Sequence, residues 1–305
     1  MRLSQRIRRG AVHRLATAAL AVLNRIPRRA ALAIGAWFGL AAWGLLPRHR
    51  HRSIATLNLV YGDRLSRKEA AAIARRFFVN SGKNLADFVR FRDHFREEIA
   101  PRVTIEGLEH YLGAFAGGGG VFGVTGHIGH FEILAARLAM EPHPVAVIAR
   151  ELYDPRLNRL LVQARESVGL KNVLTTDSPR VLLEWLKRNG AVGALIDTDS
   201  FRVRSEFIDW FGRPARTPIG QALLGLRAGS AFVPMACLRR PDDGYHIIIK
   251  QQVRVEETGD AETDARRITE ACVRELQTII DSHRDQWIWL HDRWRTRPPT
   301  TSESP

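Results

Sequence analysis

The spacing of apolar residues changes several times along the chain, and each change marks a different kind of segment. Val12, Leu15, Ala19, Leu23 and Ile26 recur at three- and four-residue steps, which places them on one face of a helix. Pro27 interrupts that pattern. From Ala30 to Leu46 run 17 residues without a charge, AALAIGAWFGLAAWGLL. Residues 66–98 carry no proline and one glycine, Gly82, and read as a long helix. Beyond them short apolar runs alternate with helical patterns. Strands are expected at Val103–Glu106, Val121–Val124, Val145–Ala149, Ala191–Ile196, Phe232–Leu238 and Tyr245–Val255. Helices are expected near 132–140, 155–168, 179–189, 218–228 and 261–283. This alternation predicts an α/β domain with a mixed, largely parallel sheet flanked by helices. The Pro-Asp-Asp-Gly turn at 241–244 predicts that the last strand is an antiparallel edge. The expected organisation is a basic N-terminal segment over 1–52, one α/β domain over 53–297, and a flexible tail over 298–305.

Charge changes the picture at the N-terminus. The chain has 305 residues and a net charge of +14, with 45% hydrophobic and 26% charged residues, so a sizeable core is available. Eleven arginines and no lysine or acid lie between Met1 and Arg52, so the excess charge is concentrated there. A basic tail attracts polyanions. Nucleic acid accounts for the arginines but not for the uncharged run between them, so no nucleic-acid partner is expected. As a helix the run is about 25 Å long, slightly less than a hydrocarbon core of about 30 Å. It would span a bilayer with its arginines snorkelling, or lie in an anionic interface. A buried soluble helix is a third reading. A cleaved signal fits less well, because Pro47-Arg48 is a poor cleavage site. Both flanks are basic, so the positive-inside rule does not orient the segment. The two cysteines, Cys237 and Cys272, have no companions at metal-ligand spacing, and a reducing compartment fits them.

Candidate chemistry concentrates in GVFGVTGHIGHFEI, residues 120–133. An apolar strand ends at Gly126-His127 and a helix begins near Phe131-Glu132, the place where catalytic groups collect in open α/β sheets. His127 and Glu132 are five residues apart. On a continuous helix their side chains would diverge by about 140°, so they meet only if the chain turns between them, as Gly126 and Gly129 permit. Such a turn would put the Glu132 carboxylate behind the His127 imidazole, a dyad able to activate a hydroxyl. The plainer alternative is a loop histidine followed by a first-turn acid favoured by the helix dipole. A metal site of His127, His130 and Glu132 lacks the His-Glu-x-x-His order, and no metal is expected.

Gly-His, four residues and an acid after a strand resembles the motif of the lysophospholipid acyltransferase superfamily, whose fold is glycerol-3-phosphate acyltransferase-like. More narrowly, the chain resembles the bacterial lipid A biosynthesis acyltransferases, the lauroyl and myristoyl transferases. The resemblance rests on the apolar N-terminal helix, GHIGHFE, Arg150 and Asn158 after the next strand, and the strand ending in Asp197. It continues through FIDWFGRPARTPIGQALLGLRAG and WIWLHDRWRTRP. His130 and Ala149 depart from it, standing where relatives often carry Asn and an aromatic. The resemblance implies direct transfer of a fatty acyl chain from acyl carrier protein or coenzyme A, without a cofactor, to a hydroxyl of a lipid A precursor. His127 and Glu132 would be catalytic, and Arg150, Asn158, Asp197 and Arg216 would contact substrate. The implied setting is the cytoplasmic face of a bacterial inner membrane. Alternatives are another glycolipid or phospholipid acceptor, such as a phosphatidylinositol mannoside, and a lipid-binding protein without activity.

Weaker patterns carry less. Gly118-x-Gly120-x-x-Gly123 does not follow a strand, as a dinucleotide fingerprint must. Asp197-Thr198-Asp199 matches a metal-nucleotide motif whose other parts are missing. Trp287, Trp289 and Trp294 beside Arg293, Arg295 and Arg297 suit base stacking or a membrane interface.

Overall fold

The computed structural model describes residues 21–299 apart from 152, 153 and 202. Val12, Leu15 and Ala19 of the expected first helix lie outside the described residues. So does most of the 298–305 tail.

Among the described residues, three long helices precede the sheet. The uncharged run forms α1 (Arg28–Leu45), and Pro47 opens α2 (Pro47–Tyr61) at a bend of 89°. Proline suits the first position of a helix, whose N–H needs no intrahelical partner, so the chain restarts there in a new direction. No single described helix is long and apolar enough to cross a membrane; the bent pair passes that test only jointly, by length and composition. The expected boundary at residue 52 falls inside α2. Ser66 caps α3 (Arg67–Val89), accepting from the Glu69 N–H while the Glu69 carboxylate accepts from the Ser66 N–H.

Seven strands make the main sheet: β1 (Val103–Glu106), β2 (Val121–Thr125), β3 (Val145–Ala149), β4 (Lys171–Leu174), β5 (Ala191–Leu195), β8 (Ala231–Arg239) and β9 (Tyr245–Ile249). Their order is β1-β9-β8-β2-β5-β3-β4, and every pair is parallel except β8 with β9. A separate hairpin joins β6 (Ser205–Trp210) to β7 (Arg213–Pro218). The main helices are α4 (Phe131–Leu138), α5 (Pro155–Ser167), α6 (Pro179–Lys187), α7 (Gly220–Ala228) and α8 (Ala261–Ser282). Alternate residues of each central strand face opposite layers. Phe122 and Val124 join one core cluster with residues of α6, α7 and α8, and Val121 joins the other with Leu134 and Leu138 of α4.

One expectation is corrected, and two features carry no clear sequence signal. β9 ends at Ile249 and lies inside the sheet, because β1 pairs along its outer side. Strand β4 escaped notice because KNVL is half polar and short. The β6–β7 hairpin escaped because its alternation is broken by Pro214 and Pro218.

Candidate active site

The strand-to-helix turn after β2 is held by contacts that tolerate only glycine. Gly129 has φ +57°, and a Cβ there would lie 1.9 Å from the Cys237 carbonyl oxygen. Its N–H donates to the Gln286 carbonyl at 2.7 Å, and the His130 N–H donates to the Cys237 carbonyl at 2.7 Å. Gly126 lies so close to Asp197 that a Cβ would come within 2.8 Å of Oδ2.

That approach brings His127 onto Asp197, at the end of β5. The imidazole Nδ1 lies 2.8 Å from Asp197 Oδ1. Asp197 Oδ2 accepts from the His127 backbone N–H at 2.7 Å and from the Trp287 indole N–H at 2.9 Å. Trp287 is fixed in turn by stacking on Trp210 at 5.6 Å. A carboxylate on Nδ1 selects the tautomer with its proton there, which leaves Nε2 free to accept one. Burial by itself would lower the imidazole pKa, but the Asp197 charge, the hydrogen bond and the Glu132 charge together raise it above the usual histidine value. Burial likewise opposes the Asp197 charge, yet His127 and Trp287 hold that carboxyl down at about 2.

Glu132 stands elsewhere. Both its oxygens accept from Arg165 of α5, at 2.6 and 3.0 Å, and Arg165 also donates to Asn172 Oδ1 at 2.5 Å. The expected carboxylate behind the imidazole is therefore Asp197, and Glu132 acts on His127 only through its charge. The physical reason is direction. Glu132 is in the first turn of α4 and points toward α5, whereas the end of β5 adjoins the end of β2.

His130 is buried and stacked on Phe91. Its Nε2 lies 3.0 Å from the Asn84 carbonyl, and its Nδ1 accepts from the Ile133 N–H at 3.4 Å, so it caps α4. Burial pushes its pKa down to about 3. Of the two histidines, only His127 lines an open pocket.

The residues expected to contact substrate disperse. Arg150 is exposed just beyond β3, and Asn158 sits in the first turn of α5. Arg216 lies on β7 with its guanidinium 4.0 Å from the centre of the Phe201 ring. Asp197 is buried behind His127 rather than lining the cleft. Asp199 accepts from the Thr296 N–H and hydroxyl. Trp287 and Trp289 are core residues, and Arg293 is buried against Trp210.

Two pockets meet at Phe131, whose ring packs edge-on to His127 at 5.3 Å. One is a narrow, mostly apolar slot between the sheet and α4; Thr125, Leu134, Leu138, Val147, Leu195 and Met235 are among its walls, and the Glu132–Arg165 pair also lines it. Gly123 and Gly193, opposite each other on β2 and β5, open its floor. The other, with about 570 Å³ of empty space including open solvent, contains His127 itself and is walled by α3 residues.

The model of the bacterial lipid A biosynthesis acyltransferases matches residues 3–296. The chain belongs to that family. Among its relatives are a phosphatidylinositol mannoside acyltransferase of Mycobacterium tuberculosis, 26% identical over 63% of this chain, and the Escherichia coli lipid A biosynthesis lauroyltransferase, 27% identical over 66%. The E. coli lipid A biosynthesis myristoyltransferase is 24% identical over 93% of this chain and 87% of its own length. The aligned region spans 60% of the M. tuberculosis protein and 64% of the lauroyltransferase. Family membership agrees with the resemblance read from GHIGHFE and the later segments.

Arg165 and Trp287 were missed as parts of the site. Arg165 lies in a helix whose pattern carries no chemical signal, and Trp287 looked like a surface aromatic. The strand end at Asp197 did carry a signal, but nothing in the sequence says which strand neighbours β2.

Proposed function

We propose that the protein transfers a fatty acyl chain from a thioester to a hydroxyl of a sugar-bearing membrane lipid. The observation that carries this is the hydrogen-bonded His127–Asp197 pair at the junction of an apolar slot and an open pocket. The slot holds the acyl chain and brings the thioester carbonyl to Phe131. His127 Nε2 takes the proton of the acceptor hydroxyl, whose oxygen bonds to the carbonyl carbon. Backbone N–H groups at the start of α4 stabilise the oxyanion. The intermediate collapses with cleavage of the C–S bond, and the imidazolium returns the proton to the departing thiolate. Glu132 supports the charged imidazole from a distance and locks α4 to α5 through Arg165.

The donor is an acyl chain on acyl carrier protein or coenzyme A, and the steps above need no cofactor or metal. A lipid A precursor is the first acceptor to offer. A phosphatidylinositol mannoside is the second, favoured by the M. tuberculosis relative. Arg150 and Arg216 are the cations the resemblance assigns to phosphate, outside the pocket. The setting is a membrane surface, with the catalytic domain on the cytoplasmic side of the inner membrane.

The test supplies purified protein with a labelled acyl thioester and both acceptors. His127→Ala should lower turnover by about 10²–10⁴, the usual worth of a general base, with the fold intact by circular dichroism. Near-full activity of that variant would refute the mechanism, and a lack of turnover with either acceptor would favour a lipid-binding role. Glu132→Gln should cost less than Asp197→Asn, because only Asp197 touches the imidazole.

A further inference from the structure

The open pocket beside His127 is walled on one side by Phe77, Asn80, Ser81 and Asn84 of α3. Two of the five polar side chains around it, Asn84 and Gln286, are already occupied. Asn84 donates to the Gly129 carbonyl at 2.8 Å and accepts two hydrogen bonds from Arg239. Gln286 accepts from the Arg239 N–H and donates to the Arg239 carbonyl. Among the described residues, the Asn80 amide and the Ser81 hydroxyl have no hydrogen-bond partner. They remain, with His127, as the side chains free to meet a ligand. The rest of the lining is apolar or aromatic, Phe77, Phe131 and Ile288, and contains no arginine or lysine.

We propose that Asn80 and Ser81 form the acceptor-recognition site, taking a neutral, polyhydroxylated ring such as a sugar of the lipid headgroup. This rests on the acyl-transfer reading and adds to it which residues select the acceptor. An amide and a hydroxyl together donate and accept, which matches adjacent hydroxyls of a sugar, and the aromatic walls suit its C–H faces. With no arginine or lysine in its lining and His127 committed to proton transfer, the pocket does not favour phosphate, so charged groups of the acceptor lie outside it. The wall is also held firmly. Gly82, on another side of α3, packs against Gly35 of α1 so closely that a Cβ on either would lie within 2.5 Å of the other's carbonyl oxygen. The Asp87 carboxylate is clasped by Arg28, Arg239 and Tyr245. Leu85, one turn beyond Ser81 on the same helical face and 62% exposed, offers an apolar continuation toward the acceptor's tails.

The test uses Asn80→Leu, Ser81→Ala and their combination in the full chain, with unfolding midpoints checked. Each lost hydrogen bond should raise KM for a glycolipid acceptor about 2- to 10-fold, with the thioester KM unmoved. For a long-chain alcohol without a ring, the variants and the parent should have the same KM. Equal acceptor KM in the double variant and the parent, or the same loss with the plain alcohol, would overturn the assignment. Binding of a short-chain glycolipid, followed by ligand-observed NMR, reads the site without turnover. Weakened binding in the double variant would support the site even if acyl transfer failed, and undiminished binding would refute it.

Discussion

At the residue scale, the site depends on one carboxylate accepting three hydrogen bonds. Asp197 fixes the His127 tautomer, anchors the backbone of the turn, and receives the Trp287 indole N–H. Because the imidazole pKa is raised, the stability from this pair is fully present below the usual histidine value of about 6.5 and is lost as pH rises through the folded value. Catalysis has the opposite dependence, since Nε2 must be unprotonated to accept a proton. The rate should therefore rise with pH through a midpoint above about 6.5. Asp197→Asn removes the charge that raises this pKa, so it should move the acid limb of kcat/KM to lower pH and reduce the plateau by about 10²–10⁴. An acid limb that stays in place in that variant would assign the titration to another group. His130 carries no such role, because it is sealed in the core and works as a helix cap.

At the element scale, α4 divides the two pockets, and paired glycines on β2 and β5 create the apolar slot. A Cβ on Gly193 would meet Val147 Cγ1 at 3.5 Å, ordinary contact, so a larger side chain grows into the slot without first breaking the strand. Gly193→Val should therefore shorten the preferred acyl chain, which competition among thioesters of graded length would show by mass spectrometry. An unchanged chain-length profile would place the acyl chain elsewhere. Gly123 is less suited to this test, because a Cβ there comes within 3.1 Å of the Met235 sulfur.

At the scale of the whole molecule, α1 has two dissimilar sides. Ala31, Leu32, Gly35 and Gly39 are buried, whereas Trp37 is 63% and Phe38 59% exposed. Arg25 and Arg29 precede these residues, and Arg48 and Arg52 follow the bend. An exposed aromatic face bracketed by cations suits an anionic bilayer surface, and the glycine packing against α3 commits the other side of the helix to protein. Trp37→Ser with Phe38→Ser should lower binding to vesicles containing anionic phospholipid by at least about tenfold, with the remaining binding sensitive to salt. Full sedimentation of that variant with vesicles at high salt would show that another surface carries the attachment. Removing residues 1–52 is a poorer test. It cuts α2 and uncovers the Gly82 side of α3, so lost binding would mix membrane contact with damage to the acceptor wall.

Local pattern was enough for much of this protein. Alternating apolar runs revealed six of the seven main strands, because a buried strand must be apolar whatever lies beside it. The Gly-His turn and the family resemblance were equally legible, since a strand-to-helix turn needs glycine and a general base needs histidine. Partnership was not legible. Which carboxylate reaches His127 depends on β5 lying beside β2, a pairing between residues about 70 positions apart. Glu132, five residues away, is turned to Arg165 by the direction of its helix. The edge of the sheet was also decided by a distant strand, because β1 covers β9. The uncharged run raised, by composition, the expectation of a spanning or interfacial helix, with a buried helix as the alternative. Only packing settled which of its sides meets protein, because glycine is read as apolar in sequence but acts as a contact surface once a second backbone approaches.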